Sequence, residues 1–253
     1  MLSSQKKKST HYKTIFISDI HLGTHGCQAE KLLDFLAHNT CDRLYLVGDI
    51  IDGWRLQRRI YWPQSHNDVI RKFLSVAKKG GKVYYVLGNH DEMLRQYLSD
   101  DLNFGRVLLS NQKDFVSISG KRYLVVHGDM FDSLMKKDLK WLMHVGDVAY
   151  NFLIWVNTKF NKIRGWLGLE YWSLSKYLKS RTKQALNFIE GFEDKLADYA
   201  HKRGYDGVIC GHIHSATIKQ LNTIQYINTG DWVESCTAIV ETMDGEIKLI
   251  EWQ

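Results

Sequence analysis

Five short clusters of polar side chains are the part of this sequence that could do chemistry. Each cluster contains aspartate, asparagine or histidine and follows directly after an apolar stretch that is typical of a buried strand. A single histidine in such a place is more often a core or surface residue than a ligand, but five clusters built alike indicate one shared site. The clusters are Asp19-Ile20-His21, Gly48-Asp49-Ile50-Ile51-Asp52, Gly88-Asn89-His90-Asp91, His127-Gly128-Asp129 and Gly211-His212-Ile213-His214.

The residue types in these clusters suit divalent metal ions. Carboxylate oxygen, amide oxygen and imidazole nitrogen together favour Mn, Fe or Zn, and the absence of a cysteine cluster argues against a closed structural zinc site. Seven ligands are too many for one four-coordinate ion, but they suit two ions that share a carboxylate. Two metals about 3.5–4 Å apart clamp both ends of an in-line displacement at phosphorus and acidify a bridging water. The candidate ligands are Asp19, His21, Asp49, Asn89, His127, His212 and His214.

The elements between the clusters predict an α/β fold. Apolar strands at residues 13–18, 43–47 and 82–87 alternate with helical patterns at 28–38 and 67–79, which indicates parallel βαβ units. Such units place the loops at the carboxyl ends of their strands on one edge of the sheet, where ligands bind. Shorter strands follow, and they predict a mostly antiparallel second half. These strands are expected at residues 106–109, 114–118, 121–126, 206–210, 217–220, 224–227, 237–241 and 247–252. A long helix is expected at residues 182–203, between the third and the fourth of them.

The segment of about residues 131–183 interrupts the strands and is aromatic and basic. Between Lys136 and Lys183 it has ten Lys or Arg residues and three acids. We interpret it as a helical insertion in a single domain of residues 1–253. Its aromatic side chains could take up acyl groups, or they could form the small core of an ordinary helical subdomain.

Composition limits the partner and the compartment. The net charge of +6 is explained either by solubility or by an anionic partner, such as a phosphate ester, a nucleic acid or an acidic lipid surface. Four scattered cysteines predict reduced thiols in a cytosolic protein. We expect no signal peptide, and the apolar run near residues 148–156 is far shorter than the roughly 20 residues of a membrane-spanning helix.

The five clusters, in this order over about 200 residues, resemble the signature of the calcineurin-like metallophosphoesterases. The resemblance implies an αββα sandwich of mixed sheets with a helical lid insertion. It implies that Asp49 bridges two metal ions. The first ion would also be bound by Asp19, His21 and His214, and the second by Asn89, His127 and His212.

The resemblance also implies roles for residues near the metals. His90 would act near the leaving or non-bridging oxygen as a general acid or transition-state stabiliser, with Asp91 orienting it; the alternative for His90 is substrate positioning alone. Asn89, His90 and His212 would contact the substrate. Asp52 and Asp129 are expected to support the site or cap loops, and Asp231 could border the site or serve loop structure.

Within the superfamily, the chain resembles the branch of UDP-2,3-diacylglucosamine hydrolases of lipid A synthesis. That likeness implies hydrolysis of the substrate pyrophosphate to 2,3-diacylglucosamine 1-phosphate and UMP, usually with Mn, although Fe or Zn would also suit the ligands. The better-known hydrolases of this branch carry arginine where this chain has His90, whereas histidine is typical of the wider superfamily. Charge and position alone suggest lid contacts at Ser173, Lys176, Lys179 and Lys183.

The resemblance therefore predicts a lipid-linked nucleotide as substrate and a cytoplasmic enzyme that contacts the anionic cytoplasmic face of the inner membrane. A soluble phosphodiesterase or nuclease of the same fold is the alternative, although nucleic acid is the less favoured partner because nuclease members usually carry extra capping domains. A non-catalytic scaffold is disfavoured, since no ligand is missing. No oligomeric state follows from the sequence.

Overall fold

The computed structural model describes residues 9–100, 103–104, 106–134 and 174–253. The strands are β1 (Thr10–Ile17), β2 (Asn39–Val47), β3 (Lys82–Val86), β4 (Asn103–Phe104), β5 (Val107–Ser110), β6 (Gln112–Val116), β7 (Arg122–Val126), β8 (Gly207–Cys210), β9 (Thr217–Leu221), β10 (Ile224–Asn228), β11 (Thr237–Glu241) and β12 (Ile247–Glu251). The α-helices are α1 (Ala29–His38), α2 (Gly53–Arg58), α3 (Gln64–Lys78) and α4 (Leu174–Lys202), and Glu92–Asp100 and Asp129–Leu134 form 3-10 helices.

The strands form two mixed sheets. The larger sheet has the order β12-β11-β1-β2-β3-β5-β4, with β1, β2, β3 and β5 parallel to one another. The smaller sheet has the order β6-β7-β8-β10-β9. The predicted α/β class with mixed sheets is thus confirmed.

Most strand pairs in the second half are antiparallel, as predicted, but two features of its topology were not predicted. Strands β7, β8 and β10 are parallel neighbours, because the chain between β7 and β8 is long enough for a crossover connection. The last hairpin, β11–β12, joins the larger sheet beside β1. Local periodicity cannot show which sheet a strand enters, since that choice depends on distant pairing partners.

Side chains on the two faces of the larger sheet enter two different cores. In β1, Ile15 and Ile17 belong to the cluster that includes α1 and α3, with Phe35 and Phe73 as helix contributions. Phe16 points to the other face. It enters the core between the two sheets, which is formed together with Tyr45, Val47, Val86, Phe115, Tyr123, Val125, Ile209, Ile227 and Ile239.

Several bounds differ from the sequence prediction. Strands β1 and β2 begin three and four residues earlier than predicted, and α4 begins at Leu174. The prediction also omitted α2 and the 3-10 helices, whose short turns carry little periodicity. In the part of the chain that the structure describes, no helix is long and apolar enough to span a membrane.

The chain divides into two compact units, residues Met1–Asp129 with Leu196–Gln253, and residues Met130–Lys195. Both sheets lie in the first unit. In the second unit, Phe131 and Phe192 are in edge-to-face contact with their ring centroids 6.4 Å apart. Most of the predicted helical insertion, residues 135–173, lies outside the described residues.

Candidate active site

The five polar clusters meet where strands of both sheets end. Within the larger sheet, the amide of Asp19 donates to the carbonyl of Gly48 (3.0 Å). In the smaller sheet, the amide of Gly211 donates to the carbonyl of His127 (3.1 Å). The amide of His212 joins the two sheets, because it donates to Oδ2 of Asp19 (3.0 Å). The meeting point lies at the carboxyl ends of the parallel strands, as the alternation of elements predicts.

The backbone at this meeting point is strained. Seven non-glycine residues in the described part of the chain have a positive φ. Five of the seven are predicted metal ligands, namely Asp19 (φ 50°), His21 (53°), Asp49 (53°), His212 (73°) and His214 (51°). Non-glycine residues rarely adopt this region, and such strain concentrates at functional sites because the surrounding structure must hold it in place.

Three groups of side chains at the site could each hold a metal ion, with one ligand atom from every member within 4.8 Å of the others. The groups are Asp19 with His21 and His214, Asp49 with His127 and His212, and His21 with Asp49 and His90. The first two groups match the predicted division of the ligands. Asp49 belongs to two groups, and its Oδ2 lies 3.3 Å from Nε2 of His127 and 3.9 Å from Nε2 of His21.

Three predicted ligands have a buried polar atom with no hydrogen-bond partner. These atoms are Oδ1 of Asp19, Oδ1 of Asn89 and Nε2 of His127. Buried polar atoms are almost always satisfied, so each exception requires an explanation. In His127 the other ring nitrogen, Nδ1, lies 3.0 Å from the carbonyl oxygen of Val47, which orients the ring and leaves Nε2 as the donor atom of a metal ligand. Oxygen and imidazole donors of this kind fit divalent ions of the Mn, Fe and Zn class.

The charge at the site favours cations. Burial alone would lower the pKa of His127, but the charge of Asp49 beside it raises the pKa to about 10. His214 is similar, because burial opposes its charged form while Asp19 and Asp231 raise the pKa to about 9. Burial would likewise raise the pKa of Asp49, yet the neighbouring imidazoles hold it well below its usual range. The negative field that holds protons on these imidazoles would attract a metal ion equally well.

Close backbone packing also shapes the site. A Cβ atom at Gly88 would lie 2.6 Å from the amide nitrogen of Asp49 and would also meet Oδ1 of that carboxylate. The amide of His90 donates to the same Oδ1 (2.9 Å). The β3 loop therefore approaches Asp49 so closely that only glycine fits at position 88.

His90 is paired with Asp52, and the prediction that Asp91 orients it is wrong. Nδ1 of His90 lies 3.0 Å from Oδ1 of Asp52. Oδ2 of Asp52 lies 3.4 Å from Nδ1 of His21, so one carboxylate faces both imidazoles. Burial lowers the pKa of His90, but Asp52 and Asp49 outweigh it and raise the pKa above its ordinary value. Asp52 also caps α2 by accepting a hydrogen bond from the amide of Arg55 (2.8 Å).

Asp91 instead connects the loops that follow β2 and β3. Its side chain is fully buried, and its Oδ1 accepts from the hydroxyl of Tyr85 (2.6 Å) and the amide of Ile51 (2.9 Å). Its Oδ2 accepts from the amide of Gly88 (3.2 Å). Burial and the charge of Asp49 raise the pKa of Asp91 to about 6. Adjacency in sequence was misleading here, because the Asp91 carboxylate is bound by Tyr85 and by loop amides.

Asp231 and Asp129 support loops, as the sequence allows. Oδ1 of Asp231 accepts from the amides of Val233 (2.8 Å) and Glu234 (2.6 Å). Its Oδ2 lies 3.6 Å from Nδ1 of His214, so Asp231 also borders the site. Asp129 pairs with Arg95 at 2.6 Å.

Two residues near the site, Trp54 and Arg95, were not predicted, and other predicted residues have side chains outside the described part. Trp54 lies beside His90 with ring centroids 4.2 Å apart, and its position two residues after Asp52 was the available signal. Arg95 donates to Asp129 and gave no signal, because charge alone is common on helices. Four predicted lid contacts, Ser173, Lys176, Lys179 and Lys183, have no described side chains.

Known proteins resemble this chain along most of its length. Residues 12–216 match the family model of the calcineurin-like phosphoesterases. A UDP-2,3-diacylglucosamine hydrolase of Blochmanniella pennsylvanica is 25% identical over 86% of this chain and 87% of its own length. The hydrolase of the same name from Psychromonas ingrahamii is 24% identical over 94% of this chain and 96% of its own length. Among solved structures, a phosphoesterase from E. coli aligns with 95% of this chain and 99% of its own, at 16% identity and a TM-score of 0.42.

The family match covers all five clusters and far more than half of the chain. Proteins of this family use divalent metal ions, and the clustered aspartate and histidine side chains fit that use. The chain therefore belongs to the calcineurin-like phosphoesterases and is a metal-dependent phosphoesterase.

Proposed function

We propose that this protein hydrolyses UDP-2,3-diacylglucosamine to 2,3-diacylglucosamine 1-phosphate and UMP, as a step of lipid A synthesis. The observation that carries the proposal is the similarity to proteins named UDP-2,3-diacylglucosamine hydrolase, which extends over 86–94% of this chain in several relatives. The metal-ligand clusters support a hydrolytic reaction at phosphorus, since the donor atoms suit two divalent ions.

The proposed metal centre divides the seven predicted ligands between two ions, with Mn as the first choice and Fe or Zn as alternatives. Asp19, His21, Asp49 and His214 would hold one ion. Asp49, Asn89, His127 and His212 would hold the other. The buried atoms without partners on Asp19, Asn89 and His127 support this division. When bound, the two ions would polarise the attacked phosphoryl group and acidify a water molecule.

The remaining chemistry is assigned to the side chains around His90. His90 is proposed to donate a proton to the oxygen of the leaving group, and the charge of Asp52, whose Oδ1 lies 3.0 Å from Nδ1 of the ring, favours the protonated form. Asn89, His90 and His212 are proposed to contact the phosphoryl oxygens. Trp54, which is 39% exposed and lies against His90, excludes water from one side of that ring.

The proposal places the enzyme in the cytoplasm, at the cytoplasmic face of the inner membrane, because its substrate carries two acyl chains. The net charge of +6 supports contact with an anionic surface. The aromatic and basic segment of about residues 131–183 is proposed as the acyl-binding lid. Replacement of Trp155 or Trp166 by alanine is then expected to raise KM for the long-acyl substrate far more than KM for a small diester.

A second candidate is a soluble phosphodiesterase on another substrate, which is favoured by His90, the residue typical of the wider superfamily. The deciding experiment is UMP release from UDP-2,3-diacylglucosamine by the purified protein with Mn, with the Asp49→Ala variant as the inactive control. Release of UMP supports the lipid substrate. Turnover of bis(4-nitrophenyl) phosphate without UMP release would instead support the second candidate.

A further inference from the structure

A basic cavity lies beside the active site and has no role in the function described so far. Its volume is about 330 Å³, and its lining includes Gly23, His25, Arg55, Arg58, Arg59 and Tyr61. We call it the arginine pocket. All three of its arginines are exposed, while His25 and Tyr61 stand against each other with ring centroids 3.6 Å apart.

Two chain segments connect the arginine pocket directly to the proposed catalytic residues. The first is the turn after β1, in which the amide of Thr24 donates to the carbonyl of His21 (3.1 Å). The second is α2, whose capping residue Asp52 accepts from the amide of Arg55 and also faces His90. Both segments that line the pocket therefore begin within a few residues of the active site.

The arginines of the pocket lack carboxylate partners in the described part of the chain. By contrast, other arginines of the protein are paired, for example Arg43 with Glu241 at 2.8 Å. The lining of the pocket contains no aspartate or glutamate. Three unpaired guanidinium groups around one cavity repel each other, and a bound anion would relieve that repulsion.

A larger cavity in the described part of the chain does not share these properties. It measures about 810 Å³ and lies at the opposite, amino ends of the central strands. Its Lys13 is paired with Asp42 at 2.9 Å, and its Arg43 is already bound by a carboxylate. Carboxylates therefore partly neutralise the positive charge of the larger cavity. In the arginine pocket, no described carboxylate neutralises the arginines.

We propose that the arginine pocket binds the second phosphoryl group of a diphosphate substrate, the one that departs with the leaving group. This inference rests on the proposed function. The oxygen of water bonds to the phosphorus of the UMP part, and the bond from that phosphorus to the bridging oxygen breaks. The electron pair stays on the bridging oxygen, which takes up the proton that His90 donates, and the attacking water releases a proton to solvent, so the 1-phosphate leaves as an anion. Guanidinium groups match phosphate oxygens in geometry and charge.

The test compares substrates with one and two phosphoryl groups. Arg58→Gln, Arg59→Gln and the double variant are assayed with UDP-2,3-diacylglucosamine and with bis(4-nitrophenyl) phosphate. We expect the ratio of the two kcat/KM values to fall about 10- to 100-fold in the double variant, the range for lost hydrogen bonds to a charged group. Arg71→Gln is the matched control, because Arg71 is 77% exposed on α3 and pairs only with Asp68 among described residues. An equal fall for both substrates would overturn the proposal.

A second measurement tests the arginine pocket even if UDP-2,3-diacylglucosamine is not the substrate. Inorganic pyrophosphate and orthophosphate are used as inhibitors of diester turnover by the metal-loaded protein. The double variant is expected to weaken inhibition by pyrophosphate about 10-fold or more, and inhibition by orthophosphate less. If UDP-2,3-diacylglucosamine is not hydrolysed, the proposed function fails but this inhibition still decides the pocket. Unchanged pyrophosphate inhibition, with loss of binding to phosphatidylglycerol vesicles only, would make the arginines a membrane contact and refute the inference.

Discussion

Replacing Asp52 by asparagine tests which of two aspartates, Asp52 or Asp91, orients the ring of His90. We propose that Asp52 has this role, because its Oδ1 lies 3.0 Å from Nδ1 of His90. Loss of the carboxylate removes the charge that supports the protonated ring. A residue that contacts a reacting side chain, but not the substrate, typically contributes about 10- to 100-fold in activity. We therefore expect kcat to fall by about that factor while KM changes little.

The stability of the Asp52→Asn variant is expected to remain close to that of the parent. Asparagine caps helices about as well as aspartate, so the hydrogen bond from the amide of Arg55 is kept. We expect Tm to change by less than about 2 °C. Metal content is measured in parallel, because Asp52 also faces His21 at 3.4 Å. A fall in kcat with full metal content assigns the effect to His90.

The Asp91→Asn variant is the matched comparison. Asp91 is fully buried and accepts from the hydroxyl of Tyr85 and from amides of two loops. The asparagine side chain has one acceptor oxygen fewer, so a buried donor would be left unpaired at a cost of about 1–3 kcal/mol. For a chain of this size that lowers Tm by about 3–10 °C. The reasoning is refuted if Asp91→Asn lowers kcat at constant Tm while Asp52→Asn leaves kcat unchanged.

Three further perturbations test the site. Asp49→Ala is expected to abolish turnover of every substrate and to reduce bound metal below one ion per chain by elemental analysis; substantial residual turnover would contradict a bridging role. His90→Gln is expected to lower kcat about 10²- to 10⁴-fold as a general acid, whereas an increase in KM alone would show that it only positions substrate. Gly88→Ala is expected to prevent metal binding, since its Cβ would lie 2.6 Å from the amide nitrogen of Asp49. Gly80→Ala strains a backbone with φ of +97° but has nothing within 4 Å of its Cβ, so it controls for general destabilisation, and equal metal loss in both variants would refute the packing argument.

Much of the fold is predictable because its strands and helices are strongly periodic. The alternation of buried strands and amphipathic helices predicts β1 to β3, α1 and α3, and it puts the first three clusters at one edge. The partners of β8 and β11 were not predictable. Both strands are short and fully buried, so their sequences carry no alternation that would show which sheet they enter.

The residues brought together at the site were predictable, but their side-chain pairing was not. Position after a strand identified all seven proposed ligands. The pairing of His90 depends on loop geometry, and Asp52 reaches it from the loop after β2, 38 positions earlier in the sequence. The strained backbone at Asp19, Asp49 and three other proposed ligands also lies beyond sequence reasoning, because tertiary packing imposes it.

The most direct test of the account is anomalous diffraction from crystals of the protein loaded with Mn. We expect two anomalous peaks about 3.5–4 Å apart, with Asp49 between them. Asp19, His21 and His214 are expected around one peak, and Asn89, His127 and His212 around the other. A single peak, or two peaks that do not share Asp49, would contradict the proposed two-metal centre.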